Sequence, residues 1–273
     1  MQTVGVNLLA FAGIAASDGS GFEPPSIAEF FPGPILFAGT PFELSRVNAI
    51  GLFMTLVLSV FFVAAFSNMR FVPRGIQNLG EMALDLVQVN IIDEVLGHKG
   101  PRYAVYLTSM FWLLFAFNIT GIIPMMHVAV TSVIGLPLLL ALVSWIIFNV
   151  EGVRANGLGH YLKTNLFPPG VPAPIYLLVT PIEFISTFIL RPVTLTIRLL
   201  ANMISGHLLL VLFFSATSYF LFDSHGIMKL VAAPAWLMGF AFTLFEVLVA
   251  FLQAYIFTLL TAVYIDGATS AEH

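Results

Sequence analysis

Two long apolar segments, residues 175–222 and 228–265, fill most of the last third of the sequence. As helices with a rise of ~1.5 Å per residue they would be roughly 70 and 57 Å long, whereas a hydrocarbon core is ~30 Å thick. Neither segment contains an internal polar loop. We therefore predict a hairpin of two long, tilted membrane helices. The alternative is a break in the first helix near Pro181 and Pro192, because proline interrupts helical hydrogen bonding.

The composition places the whole chain in the same class. Hydrophobic residues make up 59% of the sequence and charged residues 9%, whereas a soluble domain has ~25% charged residues. We predict an all-α integral membrane protein in a lipid bilayer, with about five membrane helices and one amphipathic interfacial helix. The sequence has no cysteine and its six histidines show no metal-binding spacing, so we predict no metal site and no cofactor. The net charge of −4 gives no indication of nucleic-acid binding.

The chain divides into three predicted regions. Residues 1–48 are expected to be an extracytoplasmic segment. Residues 4–16 are apolar like the core of a signal peptide, but no Lys or Arg precedes them, so cleavage of residues 1–16 stays open. Residues 175–273 form the hairpin. The region between, residues 49–174, is predicted to contain three membrane helices, at 49–66, 103–123 and 128–150.

Residues 75–97 contain four carboxylates and cannot cross a bilayer. Their apolar residues recur near helical spacing, so we predict an amphipathic helix lying at the cytoplasmic interface. The alternative is an ordinary solvated connecting helix.

The basic residues predict the orientation of the chain. Membrane proteins carry an excess of Lys and Arg in their cytoplasmic loops. With the helices above, two basic residues (Arg46 and Lys229) fall on one side, and six fall on the other: Arg70, Arg74, Lys99, Arg102, Arg154 and Lys163. We therefore predict an N-terminus outside and a C-terminus in the cytoplasm.

Arg198 places a permanent positive charge inside the first hairpin segment, far along the helix from any clear solvent marker. An arginine side chain can snorkel only a short way toward water. Leaving it at mid-membrane costs at least ~2.5–3.5 kcal/mol on insertion scales, so such a residue is a functional hypothesis by default.

Other polar residues of the hairpin fall at matching depths. Asn202 lies one helical turn after Arg198, and His207 lies on the opposite face. On the second helix Glu246, Gln253 and Tyr264 form one polar stripe. In an antiparallel hairpin His207 is level with Glu246, and Arg198 is level with Gln253. We interpret His207 and Glu246 as a protonatable pair on a path toward Arg198; the alternative is a structural interhelical hydrogen bond, which contributes only ~0.6–2 kcal/mol.

Two further charged residues precede Arg198 on its helix. Glu183 could line a second, inward-opening path, or it could be a solvated acid at the helix end. Arg191 could reach the interface and anchor a lipid phosphate. Three histidines are expected in solvated loops: His127, His160 and His225.

The hairpin closely resembles subunit a of the F-type ATP synthase. The resemblance rests on the stretch RLLANMISGH, residues 198–207, on Glu246, and on LQAYIFTLLTAVY, residues 252–264. It is supported by NITGIIP at residues 118–124 and by Arg191-Pro192, and it covers about residues 45–266.

The resemblance implies a stator subunit beside a rotating ring of small hairpin proteins, each with one carboxylate (the c-ring), and beside peripheral-stalk subunit b. Arg198 matches the family's essential arginine, which keeps each passing ring carboxylate deprotonated and separates two offset half-channels. Four residues match positions lining the outer half-channel: Asn202, His207, Glu246 and Gln253. Glu183 matches the cytoplasmic-side acid less securely. Some bacterial members exchange the Glu and His of the pair, whereas this chain has the mitochondrial arrangement.

Two other classes of function compete with this interpretation. A self-contained ion-coupled secondary transporter would need its coupling carboxylate within the chain and usually an internal repeat, and neither is evident. A purely structural membrane scaffold leaves Arg198 unexplained. The sequence has no Gly-x-x-x-x-Gly-Lys-Ser/Thr loop, so we expect no nucleotide chemistry in this chain itself. Proton is preferred to sodium as the transported ion.

Overall fold

The computed structural model describes residues 34–36, 44–67, 69–123, 126, 129–167 and 175–270. The segment 1–16 and His127 lie outside the described residues. A short antiparallel pairing joins Pro34–Leu36 to Leu44–Ser45. Apart from short turns, the remaining described residues are helical, which confirms the predicted all-α class. The helices are α1 (Arg46–Phe66), α2 (Ile76–Val87), α3 (Gly100–Ile119), α4 (Gly135–Asn156), α5 (Leu158–Leu166), α6 (Tyr176–Phe184), α7 (Arg191–Ser218) and α8 (Ala232–Thr269).

Among the described residues, four helical segments are long and apolar enough to cross a membrane: α1, α4, residues 176–223 and residues 226–269. The predicted second span forms α3, which has 20 residues but more polar side chains and falls outside this set. Helix α1 begins at Arg46, three residues before the predicted start at residue 49, because the Ser45 side chain caps it by accepting the backbone N–H of Asn48.

The predicted third span is shifted along the sequence. Residues Val130–Ser132 form a separate 3-10 turn, and α4 begins at Gly135. It continues beyond the predicted end at residue 150 and stops at Gly157, whose φ of 76° is a left-handed conformation that favours glycine. Arg154, predicted in a loop, is therefore helical.

The first hairpin helix is continuous from Tyr176 to Asp223, a length of 48 residues. Pro181 and Pro192 each lack the N–H of a regular helix, and the segment Ile185–Leu190 between them winds as a π-helix instead of breaking. The predicted continuity is confirmed. A rod of ~72 Å can fit a ~30 Å hydrocarbon core only by lying at a large angle or by projecting beyond it.

Helix α8 lies at the centre of the fold and packs against α3, α4 and α7. Aromatic rings fill this core: Phe111 of α3 meets Phe251 of α8 edge to face, with ring centroids 5.6 Å apart. Phe148 and Phe257 are almost completely buried. In contrast α1 exposes most of its apolar side chains, as expected of a lipid-facing helix.

Residues 75–97 form α2 followed by a π-helical turn, Gln88–Asp93. The apolar residues of α2 form one broad face, of which one side is buried and the other exposed. Gly80 and Ala83 are buried against neighbouring helices, and the Trp112 indole donates to the Ala83 carbonyl at 3.0 Å. Ile76, Leu79 and Met82 are instead exposed. This exposed apolar stripe suits the predicted position at a membrane interface.

Candidate functional site

The polar residues of the hairpin lie where α7 packs on α8. Asn202 and His207 of α7 and Glu246 and Gln253 of α8 lie at this contact. His207 is 8% exposed, Glu246 5% and Gln253 2%. The seven-residue spacing of Glu246 and Gln253 on α8 keeps both on the face that meets α7.

Asn202 and Gln253 join the two helices directly. The Asn202 amide nitrogen donates to the Gln253 side-chain oxygen at 2.9 Å. The Gln253 amide nitrogen is buried and has no hydrogen-bond partner among the described residues. Asn202, one turn after Arg198, is thus the direct α7 partner of Gln253.

His207 and Glu246 line one narrow crevice between α7, α8 and the end of α3. The Glu246 carboxyl group packs against the backbone of Gly206, so that a Cβ at that position would overlap it. Asn118 of α3 completes the polar lining; its side-chain oxygen accepts from the Thr131 hydroxyl at 2.8 Å. The structure therefore brings the sequence-predicted pair together.

Sequence reasoning missed two contributors to this crevice. Asn118 enters the sequence analysis only within the stretch NITGIIP, and its buried amide nitrogen has no hydrogen-bond partner among the described residues. Gly206 could have been found from the sequence, because it is a small residue directly beside His207 and leaves space for a neighbouring side chain.

Arg198 lies on a different side of α7 from His207 and is partly exposed. Across the part of the chain that the structure describes, its guanidinium makes no hydrogen bond and no ion pair. The same helix face carries three exposed small residues, spaced so that they flank the arginine: Thr194, Ala201 and Ser205. The charge therefore stands on an open strip of small side chains.

The partly exposed Arg191 side chain contacts two aromatic rings. Its guanidinium carbon lies 4.9 Å from the centre of the Tyr264 ring and 5.8 Å from that of Phe148. Phe148 and Tyr264 also contact each other, with centroids 5.6 Å apart. The structure gives this cation aromatic partners where the sequence suggested a lipid phosphate.

The remaining sequence-predicted residues lie apart from this site. Glu183 is partly exposed and has no hydrogen bond or ion pair to any described residue. His225 is exposed in a non-helical segment, as predicted, whereas His160, predicted in a loop, is exposed on α5. Among the described residues no group of three or more His, Cys, Asp or Glu side chains could hold a metal ion.

Comparisons with known proteins agree with the motifs of the hairpin. The protein-family model described as ATP synthase A chain matches residues 49–266. ATP synthase subunit a of Rhodococcus erythropolis is 49% identical over 252 residues, which are 92% of each chain. The subunit a of Parafrankia sp. is 42% identical over 92% of this chain and 83% of its own. That of Frankia alni is 40% identical over 93% and 88%.

Proposed function

Since the chain belongs to the family of ATP synthase subunit a, we propose that it forms two offset proton half-channels against a rotating c-ring, with Arg198 between them. A member of this family is a multi-pass membrane component of the ATP synthase complex and takes part in proton translocation by its membrane sector.

The outer half-channel runs through the interface of α7 and α8. His207 and Glu246 exchange protons at one depth, and Asn202 with Gln253 continues the polar path toward Arg198. The unsatisfied amide nitrogens of Gln253 and Asn118 support this assignment, because buried polar groups are usually paired and here would be paired by water in the path. The inner half-channel passes Glu183.

The observation that carries the proposal is the isolation of Arg198. A buried or half-buried cation without a counter-charge is strongly unfavourable, so a partner must be supplied from outside the described residues. The strip formed by Thr194, Ala201 and Ser205 suits this, because small side chains allow another helix to approach closely. A ring carboxylate arriving there would be held in its ionised form by the guanidinium.

Arginine is the side chain that this role requires. It stays protonated even when desolvated, whereas lysine can lose its proton. A permanent charge between the half-channels also opposes direct passage of protons from one to the other. Each proton must then leave on the ring, travel around, and enter the other half-channel.

The proposed surroundings follow from the same arrangement. The c-ring lies against α7, and subunit b of the peripheral stalk contacts the chain elsewhere. The N-terminal region 1–48 lies outside, residues 49–174 form the supporting helices, and residues 175–273 carry the proton path to a cytoplasmic C-terminus. The membrane is the bacterial cell membrane.

Replacing Arg198 tests the proposal. In inverted membrane vesicles, Arg198→Ala should abolish ATP-driven acidification, a loss of at least about 100-fold, since a whole unit charge is removed from the gate. ATP hydrolysis by the detached soluble sector should be unchanged. Thr194→Ala, on the same strip, is the matched control and should keep most of the pumping. Unchanged acidification with Arg198→Ala would refute the proposal.

A further inference from the structure

A basic cleft lies at the other end of α3 and α4, away from the crevice of His207 and Glu246. Its volume is about 530 Å³. It lies between the start of α3 and the ends of α4 and α8, and its chemically distinctive lining residues are His98, Lys99, Arg102, Tyr103, Glu151 and Arg154.

One buried carboxylate organises the cleft. Glu151 is 9% exposed and accepts from the Arg102 guanidinium at 3.1 Å and from that of Arg154 at 3.2 Å. Its second oxygen accepts from the Tyr103 hydroxyl at 2.9 Å. Glu151 is therefore saturated with donors, and it fixes both guanidinium groups at the wall of the cleft.

The positive charge of the cleft is not fully neutralised. Arg102 and Arg154 share the single Glu151 carboxylate, and Lys99 is paired with Asp266 at 3.4 Å. The described residues of this cluster therefore keep one excess positive charge. The two arginine side chains are 62% and 67% exposed, so most of their N–H donors face outward. Guanidinium groups in this state bind phosphate oxygens well.

Apolar side chains continue from the cleft toward the membrane interior. Val105 follows Arg102 by about one turn of α3, and Val150 precedes Arg154 by about one turn of α4. Val105 is 79% exposed and Val150 43%. Ile146, one further turn along α4, is also exposed. A ligand with a phosphate at the arginines and hydrocarbon below it would match both features.

We propose that this cleft is a binding site for the headgroup of an anionic phospholipid. The headgroup phosphate lies between Arg102 and Arg154, and an acyl chain lies along Val105 and Val150. A zwitterionic lipid offers the same phosphate but brings its own cation, which the excess positive charge of the cleft disfavours. In the orientation proposed above, the bound lipid belongs to the cytoplasmic leaflet.

The binding experiment uses the intact complex, purified in mild detergent and depleted of lipid. Native mass spectrometry counts the lipids retained as phosphatidylglycerol, or phosphatidylcholine with the same acyl chains, is added. Wild type should retain one more phosphatidylglycerol per complex than the variant Arg102→Gln/Glu151→Gln/Arg154→Gln. This variant removes the buried carboxylate together with its two cations, so no unpaired charge stays behind.

Two further variants separate the cleft from general electrostatics. Arg154→Gln leaves Glu151 with Arg102 and Tyr103, so the fold is preserved, and it should raise the phosphatidylglycerol concentration for half-occupancy by about three- to tenfold. Arg70→Gln/Arg74→Gln removes two exposed charges outside the cleft and should leave the phosphatidylglycerol concentration for half-occupancy unchanged. Equal retention by wild type, Arg154→Gln and the triple variant would refute the site.

Competition identifies the source of the phosphate. Inorganic phosphate at millimolar concentration should not displace the bound phosphatidylglycerol, because it lacks the hydrocarbon that contacts Val105 and Val150. Displacement would show a site for free phosphate and overturn the lipid assignment. Equal retention of phosphatidylcholine and phosphatidylglycerol would overturn the selectivity for anionic headgroups.

Discussion

At the scale of single residues, the pair His207 and Glu246 depends on a neighbour that has no side chain. The Glu246 carboxyl group occupies the space beside Gly206, and both ionisable groups reach the same crevice. What the pair does should therefore depend on having one acid and one imidazole there, rather than on which helix carries which. This expectation can be tested by exchange.

Glu246→Gln should slow ATP-driven proton pumping by about tenfold. This is less than the ~10²-fold that a positioned acid or base often contributes, because His207 remains. The exchanged double variant His207→Glu/Glu246→His should recover part of the lost rate, since both proton-carrying groups are again present beside Gly206. Acidification rates of inverted vesicles give the comparison. A double variant no faster than Glu246→Gln would show that the two residues do not work as a pair.

At the scale of helices, close packing around α5 fixes the end of α4. The Tyr161 hydroxyl donates to the Asn149 side-chain oxygen at 3.0 Å, and burial raises the pKa of Tyr161, so the phenol stays protonated as this bond requires. Its ring packs directly on Gly152, where a Cβ would overlap the ring and lie 3.1 Å from Ala268. Three helices therefore meet at one glycine.

Gly152→Ala should destabilise the chain by about 1–3 kcal/mol, the usual cost of overpacking a buried contact. Gly267→Ala is the matched control, because a Cβ there meets nothing within 4 Å and alanine favours helix by up to ~1 kcal/mol. Thermal inactivation of ATP-driven pumping should be faster in the first variant and unchanged or slower in the second. Equal inactivation of the two variants would contradict the packing described.

Also at this scale, periodicity predicted the hairpin and the α7 residues that meet α8, because both follow from helical geometry alone. Periodicity could not predict the π-helical turn between Pro181 and Pro192, because either a break or a wider turn accommodates proline. The burial of Glu151 was missed for a related reason. It lies just past the predicted helix end, and its partners Arg102 and Tyr103 come from a distant part of the chain.

At the scale of the whole molecule, the open strip of Thr194, Ala201 and Ser205 defines the side of the chain that should face the c-ring. The isolation of Arg198 could be predicted because the sequence offers no acid on its face at its depth. The aromatic partners of Arg191 could not, because Phe148 belongs to another helix and nothing local points to it. Long-range pairing thus limits what one sequence can predict.

Cysteine trapping tests which side meets the ring. The native chain has no cysteine, so introduced thiols have no background. Ala201→Cys should form a disulfide with a cysteine placed on the outer helix of a ring subunit at the depth of its carboxylate. Val60→Cys, which is 59% exposed on α1, should not form this disulfide. Non-reducing gels provide the measurement, and the opposite pattern would place the ring against α1.

The contacts of Arg191 with the Phe148 and Tyr264 rings have a mechanical consequence. In the proposed arrangement, a ring turning against α7 would push sideways on a helix of 48 residues, and an unsupported helix of that length would bend under the load. Through Arg191, the Phe148 and Tyr264 rings connect α7 to α4 and α8 about two turns from Arg198. A lever deflects least close to its fixed point, so the proposed gate charge of Arg198 would be displaced little by the turning ring.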